Sequence, residues 1–323
     1  MQDVAKQMLD RAKALLAEGK VQYVVGWKKG LFEDDITPAV FTSTEELDKD
    51  FIFDKNCKAN LSKYLVKITR EIEVKKSTTR MNNTMAKQRD PNATEAPIPS
   101  EVVLVFLKPS DTYSFTQLLK ENRITREDVY AIGVPCQDTL DGGELCESCT
   151  GKKHVSCDEL LGVDENEEAS PNTKRMEEVS KLEAMTSEQR FEFWRNEFSR
   201  CIRCNACRNV CPACTCEKCV FDNNALYTTQ KVAETSFEEN LFHIIRAWHV
   251  AGRCTDCGEC SRVCPQNIPL YLLNRKFIKD INEIYGEYQA GADMESKPAM
   301  ITFKEDDAEP SIVYDRAKDG GNE

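Results

Sequence analysis

Two copies of one short pattern constrain the chain: Cys201-x-x-Cys204-x-x-Cys207-x-x-x-Cys211-Pro212 and Cys254-x-x-Cys257-x-x-Cys260-x-x-x-Cys264-Pro265. Three thiolates spaced in this way can wrap one cube of iron and sulfide. The fourth, carried off by the turn into proline, reaches the neighbouring cube. The pattern predicts two 4Fe-4S clusters with crossed ligation. Cys201, Cys204, Cys207 and Cys264 hold one, and Cys254, Cys257, Cys260 and Cys211 hold the other. A pair of zinc sites is the competing reading, but tetrahedral zinc gains nothing from a fourth cysteine and a proline at fixed offsets.

At 323 residues the chain has room for two domains with real cores, at roughly 100–200 residues each. Sixteen cysteines would suggest disulfides in a short secreted protein, yet Met1 leads straight into a polar amphipathic pattern with no signal peptide. The thiols are expected to be ligands in a reducing cytoplasm. The longest apolar run, Val102 to Leu107, is far short of the ~20 residues that span a bilayer, which excludes direct membrane insertion. A net charge of -12, with basic residues interspersed among acids, excludes nucleic acid as a partner.

The amino-terminal part reads as an α/β domain with a mainly parallel sheet. Residues 3–18 place Val4, Met8, Ala12, Leu15 and Leu16 on one helical face, and Gly19 stops the helix. Val21 to Val25 reads as a buried strand. A second helical pattern follows Cys57 at Leu61, Tyr64, Leu65 and Ile68, with Asn56 and Asn60 as caps. Lys75 to Ser100 is polar and aperiodic and is expected to be a loop. Glu101 to Leu107, Tyr113 to Lys120 and Val129 to Val134 then resemble a β-α-β unit. Pro135-Cys136 falls just beyond its last strand, where open α/β sheets place ligands.

Cys136, Cys146, Cys149 and Cys157 form a third set in a Gly-, Asp- and Ser-rich loop. A third 4Fe-4S cluster, a structural zinc and unligated thiols compete for it. The cluster is favoured. His154, in a basic stretch, is read as solvent-facing. Cys214, Cys216 and Cys219, directly after the first run, complete a fourth set of four only if Cys57 joins them, which spacing alone does not support.

The expected division is 1–163 for the α/β domain, 164–198 for a linker and helix, 199–269 for a bacterial-type dicluster ferredoxin-like α+β domain, and 270–323 for a carboxyl-terminal helix and docking tail. A helical insertion, 212–250, separates the two cysteine runs. Thr186-x-x-Gln189 and Ser236-x-x-Glu239 have the form of capping boxes. The first precedes Phe191, Trp194 and Phe198. The second precedes Leu241, Ile244, Ile245 and Trp248, on a helix where His243 and His249 read as packing or surface residues. Leu273, Phe277, Ile281, Ile284 and Tyr288 mark the last amphipathic helix. Pro298 to Phe303 is a segment that could dock on another subunit.

With these motifs in view, the chain resembles the beta subunits of coenzyme F-420 hydrogenases and formate dehydrogenases and their bacterial iron-sulfur relatives. The resemblance rests on Val24-Val25-Gly26-Trp27, on Cys57 to Leu65, on Lys108-Pro109-Ser110-Asp111, on Ile132 to Cys136, and on the two cysteine runs. It implies electron transfer between a flavin or deazaflavin on the α/β part and a catalytic subunit, with the ferredoxin-like part between them. Ser110 stands where the family pattern has a cysteine, and there is no G-x-G-x-x-G loop to cradle a dinucleotide. The expected function is therefore relay by clusters alone within a cytoplasmic oxidoreductase. Its implied partners are a flavoprotein, hydrogenase, formate dehydrogenase, heterodisulfide-reductase-like or methylene-tetrahydrofolate-reductase-type subunit, or ferredoxin. No acid-base catalysis is expected of the chain, and its alternatives are an FAD-containing subunit that turns over a diffusible coenzyme and a zinc-stabilised assembly platform.

Overall fold

The computed structural model describes residues 2–32, 35–136, 153–163, 173–222 and 237–298. Its amino-terminal part is built on β3 (Val103–Leu107), every residue of which is buried. Unbroken apolar strands of this kind suit a parallel sheet covered on both faces. The sheet order is β2-β1-β3-β4-β5. β1 (Tyr23–Lys29), β3, β4 (Val129–Gly133) and β5 (Glu159–Leu160) run parallel, and β2 (Ile36–Phe41) is antiparallel at the edge. The expected mainly parallel α/β architecture is thus present. β2 carries Pro38 opposite Trp27. An edge strand tolerates that proline because no second neighbour needs its N–H.

Helix α1 (Gln2–Ala17) buries Met8, Ala12 and Leu15, and α2 (Thr44–Asp50) buries Leu47. α4 (Pro109–Lys120) links β3 to β4 and is buried at nearly every position. Gly133 is required where β4 meets β5. A Cβ there would lie 2.5 Å from Leu160 Cδ2 and 3.2 Å from Cys157 Sγ.

Three expectations are corrected. Residues 75–89 are not a loop but continue α3 (Ser62–Arg89). This stretch is polar all round, so it lacks an apolar stripe, yet Lys, Arg, Met, Gln and Ala are good helix formers. Arg80 pairs with Glu73 at 2.8 Å, and Lys75 and Lys76 anchor the helix to Glu101 and Asp128. Neither Asn56 nor Asn60 is the N-cap of α3, which is Leu61 with no side-chain cap bond, although Asn60 Oδ1 accepts from the Ser62 amide (3.1 Å). The described residues of 199–269 form helices and loops with no strand, so the α+β expectation does not hold for them. The chain enters the first run from one helix, and the second run leads into another.

Those flanking helices are α6 (Ser187–Ser199) and α10 (Leu270–Tyr285), with α5 (Glu177–Glu183) before them. α6 begins with the Thr186–Gln189 capping box, both bonds of which form (3.2 and 2.9 Å). Between the runs lies α8 (Phe237–Trp248). The expected Ser236 cap lies outside the described residues.

Candidate functional site

The two cysteine runs adopt the same backbone. Residues two and four places after the first cysteine are left-handed in both: Arg203 (φ 55°) and Asn205 (61°), and Asp256 (57°) and Gly258 (73°). Alternating hands turn successive N–H groups inward into a concave nest, a form that suits the sulfurs of an iron-sulfur centre. The Arg203 amide already donates to Cys201 Sγ at 3.3 Å. Each nest leads into a short helix, α7 (Ala206–Val210) or α9 (Glu259–Arg262). Beyond each Cys-Pro turn the third residue donates back to the cysteine carbonyl, Cys214 to Cys211 (3.1 Å) and Asn267 to Cys264 (3.0 Å).

The thiols gather in crossed groups. Cys201, Cys204, Cys207 and Cys264 line one cavity of about 340 Å³, partly open to solvent. Cys211, Cys254 and Cys257 line a second of about 310 Å³, capped by Ser114, Gln117 and Leu118 of α4 and by Glu121 just past it. Burial pushes the Cys207 thiol above its ordinary range, and Cys201, Cys204 and Cys264 add to the rise. Burial, with Cys211 adding to the rise, brings Cys254 to about 12 and Cys260 to about 11. Thiols crowded in this way resist ionising together, so the arrangement calls for a strongly positive centre, which iron supplies. Among the described residues no three Cys, His, Asp or Glu side chains close on a point fit for a single metal ion. The thiols and inward-turned N–H groups around these cavities are a donor set of the kind that suits an iron-sulfur cluster.

Residues 197–268 match the 4Fe-4S dicluster domain. The chain is also 33% identical over 108 residues to the F420-dependent formate dehydrogenase subunit beta of Methanocaldococcus jannaschii. It is 29% identical over 109 residues to the F420-dependent formate dehydrogenase 1 subunit beta of Methanococcus maripaludis. These stretches make up 33% and 34% of this chain and 27% of each relative, so the chain spans about a quarter of the length of the curated relatives it matches. The resemblance carried by the sequence motifs is therefore found by direct comparison.

Around the dicluster domain the structure adds residues that spacing does not reveal. Asn274 Nδ2 donates to Cys260 Sγ at 3.4 Å. Asp256, in the second nest, accepts from Arg175 Nε (2.8 Å) and Arg275 Nε (2.9 Å), which fixes that loop between the segment before α5 and helix α10. His243 is not a surface residue. It is buried, stacks on Phe198 at 4.4 Å between ring centres and lines the Cys201 cavity. Arg203 stacks over Phe242 at 3.8 Å. The sequence signal for Arg246, also buried, was a charge on the apolar face of α8 between two cysteine runs.

The α/β part closes on the second thiol group through polar contacts. Asn60 links Ser114 Oγ (Nδ2, 3.0 Å) to Glu259 Oε2 (backbone N, 3.2 Å), and Ser114 Oγ meets Thr255 Oγ1 at 2.9 Å. Arg253 Nε donates to Glu121 Oε1 at 2.7 Å. Lys108, just beyond β3, is buried with its Nζ on the Lys58 carbonyl (2.6 Å) and over the Trp27 ring. The carboxyl end of β3 is therefore filled by the chain's own loop.

Of the third set, Cys146 and Cys149 lie outside the described residues. Cys136 follows β4, and Cys157 packs on Gly133 with its thiol raised to about 12 by burial. His154 is half-buried rather than solvent-facing, and its Nε2 pairs with the Val134 carbonyl at 3.0 Å. Of the fourth set, Cys214, Cys216 and Cys219 lie on the segment that docks on α3, where Lys63 donates to the Cys214 carbonyl and Arg70 pairs with Glu217 (2.6 Å). Cys57 is sealed in the α/β core. Its Sγ accepts from the Asp54 amide (3.3 Å) and contacts the Ile52 carbonyl (3.6 Å), and burial raises it to about 12. The contacts of the Cys57 thiol are thus with its own loop.

Proposed function

We propose that this chain is an electron-transfer subunit of a multisubunit oxidoreductase, holding one 4Fe-4S cluster on Cys201, Cys204, Cys207 and Cys264 and another on Cys254, Cys257, Cys260 and Cys211. The observation that carries this reading is the crossed grouping, in which the last cysteine of each run keeps company with the first three of the other. Bound clusters would supply one-electron storage. The chain's own residues supply thiolates, nest N–H groups and the buried charges that set potentials. The names of the curated relatives favour a partner of the formate dehydrogenase or hydrogenase kind. A third cluster on Cys136, Cys146, Cys149 and Cys157 would extend the relay into the α/β part. Cys57 is left out of a fourth, because its thiol is committed to the core.

Flavin on the α/β part is the rival reading. Against it stands the carboxyl end of β3, filled by Lys108 and the loop from Cys57 to Ala59. An open concavity of about 920 Å³ lies instead near Ile124 to Glu127, at the amino end of β4. A native mass spectrum of the chain purified without oxygen tests both readings. Two or three clusters without flavin are expected, and Cys257→Ala should lose one cluster and block turnover of the assembled complex. Full turnover with that cluster gone would overturn the relay. A yellow chromophore released on denaturation would move the function to the flavin reading, and zinc on the third set would make the α/β part an assembly platform.

A further inference from the structure

Helix α8 spans the distance between the two thiol groups. Phe242 and His243 line the Cys201 cavity, and just past the helix the Val250 carbonyl accepts the amide of Cys254 at 2.8 Å. Arg246 lies between, one turn after His243 and on the same inward face as Ala247 and Val250. It is 3% exposed, and its Nε, Nη1 and Nη2 have no hydrogen-bond partner among the described residues. A guanidinium cannot shed its proton to escape such a place, so leaving it buried and unpaired is costly unless an anion faces it. Its charge neighbours are Cys260, Cys207, Cys211 and Cys214. After burial, Arg246 is the leading charge acting on both Cys207 and Cys260, which belong to different groups.

We infer that Arg246 is a positioning residue shared by the two clusters, donating its N–H groups to their sulfur ligands and raising the reduction potential of each. The inference rests on the two-cluster reading above. Four thiolates give each cluster a net negative charge, and reduction adds one electron to it. A fixed positive charge stabilises the reduced form more than the oxidised form. Because the cation stands between the groups, both potentials move when it is removed.

The test uses the full chain purified without oxygen, as wild type, Arg246→Met and Arg246→Lys. Iron, sulfide and native mass count the clusters, and EPR-monitored redox titration reads their potentials. A wild type without two 4Fe-4S clusters would sink the two-cluster reading itself, whatever Arg246 does. With clusters present, Arg246→Met is expected to keep both and to lower both potentials. The expected shift is at least tenfold in the reduced-to-oxidised ratio at fixed potential, about 59 mV for one electron. Arg246→Lys, which keeps the charge, should recover part of it. Unchanged potentials, or a shift in one cluster only, would overturn the inference. Should the methionine variant lose a cluster, Arg246→Gln keeps donors without charge and is read in the same way. Cluster loss in all three variants would make Arg246 a packing element and equally overturn the tuning role.

Discussion

Gly258 and Asn205 occupy the same place in the two nests, both left-handed, and a Cβ on Gly258 would meet nothing within 4 Å. The requirement at this position is thus conformational. Asparagine adopts the left-handed region far more readily than a β-branched residue. Gly258→Asn should keep the second cluster, and Gly258→Val should lose or weaken it, as read by iron content and EPR. A second residue-scale case is Asp111. Its carboxyl is fully buried, and Oδ2 has no hydrogen bond but faces Lys108 Nζ at 3.5 Å. Burial raises its pKa, opposed by Lys108 and helped by Glu259. The folded state then keeps a proton that the unfolded chain gives up near about pH 4. The associated stability is full below that value and is lost as pH rises through the higher folded value. Asp111→Asn should flatten this fall, checked by thermal midpoints from about pH 5 to about pH 8. An equally steep fall in the variant would assign the dependence to another group.

Elements differ in how far their sequences announce them. α1 carries one apolar helical stripe, and β3 and β4 are short apolar runs, and all three are found where the sequence puts them. The second half of α3 has no such pattern, because its Lys, Arg and Asn side chains face solvent and only propensity and ion pairs hold it. β2 hides behind Pro38, a residue that reads as a breaker until the strand is seen at the sheet edge. The cysteine spacing is where the thiol grouping was legible, since four cysteines and a proline at fixed offsets encode one geometry. His243 and Arg246 have no offset to betray them, and they become site residues only because α8 lays one face along both groups.

At the scale of the whole chain, the α/β part covers the second thiol group through α4, with Glu121 clamping Arg253. Removing that clamp by Glu121→Ala should speed oxygen bleaching of the second cluster while the first keeps its rate. The check is the time course of each cluster's EPR signal in air. Equal acceleration of both would mean that the clamp serves general stability instead. Among the described residues the first group has no such cover: Cys204 is the exposed thiol among the eight, and Ile202 beside it stands out in solvent. Among the described residues no helix is long and apolar enough to cross a membrane. If the chain is the relay proposed above, this one-sided sheath gives it a terminal, and an external redox partner would make its connection at the Ile202–Cys204 tip.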